Sequence, residues 1–149
     1  MSYNSYYDND DVESGEKEQK KPETHGGSAS AEGVLRMNAA ALGVIQAGSQ
    51  SGGNEAWITA RAAGLLGAKE SDERVLVSQS INVTAIEIEH EIDDDNNTLR
   101  VRCQVKTMER LGAQTAALVG CGSVLIALMD RLRTMDRDIS ITSLRMIRE

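Results

Sequence analysis

The chain has 149 residues, of which 40% are hydrophobic, and this suits one domain of moderate core size with an appendage. Its formal net charge of −7 excludes a basic footprint for a phosphate backbone, so we expect no nucleic-acid partner. Only 3% of the residues are aromatic and none is Phe, so the core must be aliphatic.

The first 33 residues form an acidic segment that contains three of the four aromatic residues. It holds eight acids and three lysines, a net charge of −5, together with Tyr3, Tyr6, Tyr7 and the only proline, Pro22. Such a segment buries too little apolar surface to offset its ordering entropy. We therefore predict a disordered tail over residues 1–33 and a folded domain over 34–149. The tail could bind a partner or serve solubility alone.

Scarce cysteine and histidine argue against a metal site. Cys103 and Cys121 lack metal-ligand spacing and are expected to be a reduced pair, and the histidines, His25 and His90, are too few and too scattered for a zinc site. The N-terminus has neither the apolar stretch of a signal peptide nor the basic character of a transit peptide. The expected compartment is the cytoplasm.

The first half of the domain predicts one strand and two helices. A short strand is expected around Val34–Met37, followed by a helix over Ala39–Gln46 that ends at a Gly/Ser-rich loop over Gly48–Gly53. A second helix is expected over Glu55–Lys69, with small residues on one face that suit close packing.

A hairpin is the clearest local prediction. Residues 81–92 and 99–107 alternate between apolar and polar positions, and an Asp/Asn turn over 93–97 separates them. One strand carries a row of glutamates, which antiparallel pairing can place opposite the basic row of the other strand. His90 shares a face with isoleucines, which favours a structural histidine over a catalytic one.

A long apolar helix over Gly112–Met135 and a strand over Ile139–Ile147 complete the chain. The helix is rich in small residues, which are typical both of membrane dimerisation and of close packing on a sheet. Its apolar run is shorter than the roughly 20 residues of a membrane span and is bounded by Gln114 and Asp130, so we predict a soluble protein with no membrane contact.

The order βαββαβ, with a doubled first helix, predicts an α+β ferredoxin-like sandwich with an antiparallel sheet. Helices on one face leave the other face free, and we expect that face to pack on another copy.

Two stretches resemble the cyclic pyranopterin monophosphate synthase family of molybdenum cofactor biosynthesis. They are the Ala-rich segment Thr59–Lys69 and the ungapped run Gly112–Arg145. The resemblance spans about Val34 to Arg148. It implies conversion of a cyclised, GTP-derived pterin nucleotide to cyclic pyranopterin monophosphate, with no metal or organic cofactor. It also implies a hexamer built from dimers, with active sites at the dimer interface.

The family's ionisable positions are mostly substituted. Its histidine position falls on Gln79, and its two glutamates fall on Gln114 and Ala116. The resemblance retains Asp130 as the catalytic acid and replaces a lysine with Arg133, which keeps the charge but is a poor proton donor. The family's lysine before the second helix is replaced by the Gly52–Gly53 loop, and its C-terminal Lys-Ser-Gly-Gly-Lys is absent. Arg61, Arg133, Gln79 and Gln114 are the candidate substrate-binding residues.

Three hypotheses follow. The chain is a degenerate family member with lost or reduced catalysis and a structural or regulatory role, as a homo-oligomer or mixed with an active paralogue. Alternatively it is an active synthase with a rearranged site built on Asp130 and Arg133, or a ferredoxin-like interaction module with no tie to pterins. For Asp130, Arg61 and Arg133, ordinary solvated helix charges are the competing interpretation.

Overall fold

A computed structural model of the chain describes residues 26–49, 54–75, 77 and 79–148. Within this part the elements are, in order, β1 (Gly27–Arg36), α1 (Ala39–Ser49), α2 (Glu55–Lys69), α3 (Ser71–Arg74), β2 (Val83–Asp93), β3 (Thr98–Thr107), α4 (Ala113–Leu132) and β4 (Ser140–Ile147). The strands form one antiparallel sheet in the order β2-β3-β1-β4. This is the predicted ferredoxin-like α+β arrangement with additional helix.

Strand β1 corrects the predicted boundary of the tail. It begins at Gly27, so residues 27–33 lie in the sheet, where β1 pairs with β3 on one side and with β4 on the other. Composition alone assigned this segment to the tail because, apart from Glu32, it consists of Ser, Ala and Gly. A central strand directly under a helix needs such small residues, and Ala29, Ala31 and Gly33 are buried there. The tail prediction for residues 1–25 lies outside the described residues.

The hairpin forms as predicted. Strands β2 and β3 pair in a register that sets Glu89 opposite Arg102 and Glu91 opposite Arg100. The other face of β3 points to the helices, and its apolar residues are fully or almost fully buried. The alternation of apolar and polar residues along β2 and β3 therefore shows which face of the hairpin packs on the helices and which is open.

The helical layer consists mainly of α2 and α4, which pack antiparallel over the sheet. Their contact is close because Gly64 lies against Val124 and the backbone of Gly120. Helix α4 is long and apolar enough to cross a bilayer by length and composition, but half of its apolar window is buried inside the protein. Its apolar face is explained by the sheet and by α2, against which it packs. The helix ends at Leu132, three residues before the predicted end.

Other helix boundaries agree with or slightly extend the predictions. Helix α2 has the predicted bounds, and Asn54 caps it by accepting a hydrogen bond from the Trp57 amide at 2.8 Å. Helix α1 continues to Ser49, three residues past its predicted end. The core between the layers is aliphatic apart from buried Trp57.

We predict that Gly64→Ala destabilises the protein by about 1–3 kcal/mol, because its methyl group would overlap Val124 and Ile88 in the helix–sheet contact. Gly43→Ala is the matched control, since a methyl group on this α1 residue meets no atom within 4 Å. That change should stabilise the protein by about 0.5–1 kcal/mol through the helix preference of alanine. Urea unfolding of both variants measures the difference, and equal effects would contradict the close contact.

Candidate functional site

A small pocket lies where the N-terminal end of α4 meets the segment that precedes β2. Its volume is about 230 Å³. The wall combines apolar and neutral polar side chains: Val77, Gln79, Ser80, Ile81, Leu111 and Thr115, with Gly112 at the helix start. None of the described residues that line the pocket is charged, so these residues offer hydrogen bonds but no titrating group.

Gly112 brings the two walls together. Its φ of 100° lies in the left-handed region that favours glycine, and a side chain there would overlap Ile81. The Ile81 amide donates a hydrogen bond to the Asp72 carboxylate at 2.9 Å, which ties this segment to α3. The pocket is thus held by backbone geometry and local hydrogen bonds.

The loop between β3 and α4 is attached to the same segment. The side-chain amide of Asn82 donates a hydrogen bond to the Glu109 carboxylate at 2.6 Å. The Met108 amide donates another to the Asn82 carbonyl at 2.9 Å. These bonds keep the loop, and with it Leu111, beside the segment that carries Gln79.

Two of the predicted site residues lie at this end of α4. Gln79 lines the pocket, and Gln114 is an exposed residue in the first turn of α4, next to the lining residue Thr115. Sequence comparison had not identified Thr115 and Ser80 as lining residues, because small hydroxyl residues without a spacing motif carry no signal. Neither glutamine can titrate, so the lining residues that the structure describes include no proton-transfer side chain.

The other three predicted site residues lie toward the opposite end of α4. Asp130 is exposed in its last turn, and Arg133 is exposed just past it. Arg61 is exposed on α2. It lies between Gly64 and Glu55, and the Glu55 carboxylate pairs with Arg131 of α4 at 2.8 Å. None of the ion pairs among the described residues involves Asp130, Arg61 or Arg133.

The candidate residues therefore form two groups and not one. Residues 114 and 130 of α4 are separated by about 24 Å along the axis, at about 1.5 Å per residue. Because α4 is continuous, no side-chain movement within one chain brings Gln114 to Asp130. The structure joins Gln79 with Gln114 at one end and places Asp130 with Arg133 at the other.

Ala116 belongs to the buried face of α4. It is completely inaccessible to solvent and belongs to the hydrophobic core. A glutamate at this position would have to place its carboxylate in or at the edge of an apolar core, which is unfavourable without a paired charge. Alanine here contributes to packing.

The open face of the sheet carries a charge cluster centred on Glu32, a residue that composition had assigned to the tail. Glu32 of β1 accepts from Arg100 at 3.1 Å and from Arg145 at 2.9 Å, and only 12% of its side chain is exposed. A shallow depression of about 420 Å³ surrounds it, lined mainly by charged residues of β2 and β3. The alternation of Glu32 with Ala31 and Gly33 was the available signal that it lies on a strand.

His90 has a structural environment. Its ring lies 4.1 Å from that of Trp57, centroid to centroid, beneath α2. Burial lowers the pKa of His90 below its ordinary value, so the imidazole is neutral at pH 7. Across the described ranges, no group of three or more His, Cys, Asp or Glu side chains could hold a metal ion.

The protein is a ferredoxin-like α+β sandwich, and its candidate site residues lie near the two ends of helix α4. The MoaC family model matches residues 17–149, and the chain belongs to the MoaC family. Its curated relatives include proteins named cyclic pyranopterin monophosphate synthase.

Three of these relatives show the extent of the similarity. The one from Brucella ovis is 30% identical over 119 residues, which cover 80% of this chain and 72% of the relative. The one from Bordetella pertussis is 29% identical over 118 residues, 79% of this chain and 73% of the relative. The one from Pelobacter propionicus is 26% identical over 111 residues, 74% of this chain and 69% of the relative.

We predict that Cys103 and Cys121 do not react in the folded protein. Both thiols are fully buried, and burial raises the pKa of each from 9.0 to about 12, so the reactive thiolate is scarce at pH 8. Mass spectrometry after iodoacetamide treatment should show no alkylation in buffer and two alkylated thiols in 6 M guanidinium. Rapid alkylation of either cysteine in the folded protein would contradict this burial.

Proposed function

We propose that this protein acts in molybdenum cofactor biosynthesis as a divergent MoaC family member whose synthase activity is lost or strongly reduced. Its role is then structural or regulatory, in the cytoplasm. Family membership supports the pathway. The single observation that supports reduced catalysis is the pocket at the start of α4, which contains neutral Gln79 where the resemblance implies a histidine.

The chemistry of the family reaction explains why this substitution matters. Rearrangement of a cyclised, GTP-derived pterin nucleotide requires side chains that move protons, and each positioned acid or base contributes about 10²–10⁴-fold to the rate. Gln79 and Gln114 can hydrogen-bond to a pterin but cannot take up or release a proton. The pocket is therefore suited to holding a neutral heterocycle.

The proposal includes a second chain, because the candidate residues of one chain lie near opposite ends of α4. Asp130 and Arg133 of one chain cannot meet Gln79 of the same chain. A two-fold contact that runs two α4 helices antiparallel would place the Asp130 end of one copy beside the Gln79 end of the other. Exposed apolar residues of α2 and α4, Ile58, Leu66 and Ile126, support a contact on the helical side, whereas the sequence had led us to expect one on the free face of the sheet. The second chain is another copy or an active paralogue that supplies the missing acids.

Turnover of the cyclised GTP-derived precursor tests the proposal. The purified protein should form cyclic pyranopterin monophosphate at least about 10²-fold more slowly than the relative from Bordetella pertussis, because at least one proton-transfer group is missing. Product formation is measured by liquid chromatography under identical conditions. Turnover comparable with that of the relative would refute reduced catalysis and favour the rearranged site with Asp130 and Arg133.

Restoring titratable groups tests whether the pocket still accepts the nucleotide. The variant Gln79→His/Gln114→Glu should bind the precursor at least several-fold more tightly than the unaltered chain, because ionisable side chains form stronger, charge-assisted hydrogen bonds than amides. Both positions are exposed, so the changes leave the core intact. Ala116 is left unchanged, since a carboxylate there would disturb the core. Gln104→His, on β3 away from this pocket, is the control for the new imidazole and should not change affinity. Calorimetry that finds no binding in any form would favour an interaction module with no tie to pterins.

A further inference from the structure

One row of charges crosses the open face of the sheet from edge to edge. The pairing register places its four members side by side, one from each strand: Glu89 of β2, Arg102 of β3, Glu32 of β1 and Arg145 of β4. The signs therefore alternate across the sheet. The row begins with an acid at the β2 edge and ends with a base at the β4 edge, so a reversed copy of the row has the opposite sign at every place.

Half of this row makes no ion pair with the described part of the chain. Glu32 is bonded to Arg100 and to Arg145, which accounts for its low exposure. None of the ion pairs among the described residues involves Arg102 or Glu89, although both are exposed and lie opposite each other in the hairpin. A guanidinium and a carboxylate are thus available to a partner that presents the opposite charges.

A second copy of the same face presents these charges in one orientation. When two sheets face each other across a two-fold axis parallel to their strands, the strand order of the copy is reversed. Glu89 of one chain then lies over Arg145 of the other, and Arg102 lies over Glu32. An axis perpendicular to the strands, through the same row, would instead set each residue over its own copy, and like charges would meet. Aligned packing of two sheets is one of the two common arrangements.

The open face is large enough for a specific contact. Strands of about ten residues at about 3.4 Å each, four abreast at about 4.8 Å, cover roughly 34 Å by 19 Å, or about 650 Å² on each copy. Two such faces exceed the roughly 1,000 Å² that a specific interface needs. In the parallel-axis orientation the short side chains of Ser28 and Ser30 on β1 meet longer side chains of β3.

We propose that the open face of the sheet is a self-complementary docking surface for a second copy of this chain. Arg102 of each chain contacts Glu32 of the other, and Glu89 contacts Arg145. The contact is built on exposed charges, so it weakens as the salt concentration rises. It is separate from the contact on the helical side and requires neither the pocket at Gln79 nor a pterin nucleotide.

Cross-linking tests the orientation of the two chains. The variants Glu89→Cys and Arg145→Cys are treated with a short bismaleimide, either separately or as an equal mixture. Cys103 and Cys121 are buried, so the reagent reads the introduced thiols. The mixture should give covalent dimers in at least several-fold higher yield than either variant alone. Dimers formed best by Glu89→Cys alone would overturn the parallel axis, and equally low yields in all three samples would overturn the contact.

Charge reversal provides a second measurement. Glu89→Arg and Arg145→Glu should each weaken self-association at least several-fold in sedimentation equilibrium, and a chain that carries both changes should recover much of it. Within one chain these positions lie on the two outermost strands, about 14 Å apart at about 4.8 Å per strand, so recovery requires a facing chain. Circular dichroism checks that each variant is folded.

A common background separates this contact from the one on the helical side. Every chain in the charge-reversal series also carries Ile58→Ser/Ile126→Ser, which removes two exposed apolar residues of the helical layer. The series without charge reversal should still dimerise and should dissociate at high salt. A monomer at all concentrations, or no recovery in the doubly reversed chain, would overturn the proposal. No nucleotide is used, so these results leave the turnover test unaffected.

Discussion

The close packing of α2 against α4 over the sheet is the constraint on which the rest of the structure depends. Gly64 and Gly120 allow the helix backbones to approach, and Gly33 lets α4 lie directly on β1. This approach sets the position and direction of α4. Since the pocket lies at one end of α4 and Asp130 at the other, the packing of small residues also decides where the candidate functional groups lie.

The length of α4 then imposes a division on the site. A continuous helix is rigid on the scale of a binding site, so groups near its two ends stay about 24 Å apart. Chemistry that needs both ends requires two chains. A divided site also lets chains with different side chains combine, because each contributes only one end. A chain with neutral residues at the Gln79 end could thus combine with a chain that carries titrating residues there.

Much of the fold could be predicted because its signals are local. The alternation along β2 and β3 identified the hairpin and its faces, and the bounds of α2 followed from its helical pattern. The start of β1 could not be found in this way, since Ser, Ala and Gly have low hydrophobicity and their burial depends on α4, far away in the chain. Glu32 was misassigned for the same reason, because its partners Arg100 and Arg145 come from other strands.

The candidate site was harder to predict, because a family resemblance identifies residues in the sequence but does not give the distances between them in the structure. Resemblance identified Gln79, Gln114 and Asp130 but could not show that they fall at two ends of a helix. Thr115 and Ser80 became visible only as walls of a cavity. The neutral character of the pocket, in contrast, was readable from the sequence, since it follows from residue identity alone.

Helix α4 separates the residues that maintain the fold from those that carry chemistry. Its inward face, including Ala116, Gly120 and Leu125, is buried against the sheet and α2. Gln114 and Asp130 are exposed and make no contribution to that packing. Exchanging a titrating residue for glutamine at an exposed position therefore removes chemistry with little effect on stability. Ala116 is the exception, because there a small side chain belongs to the core. The same helix can in this way preserve the family's architecture whichever side chains its exposed ends carry.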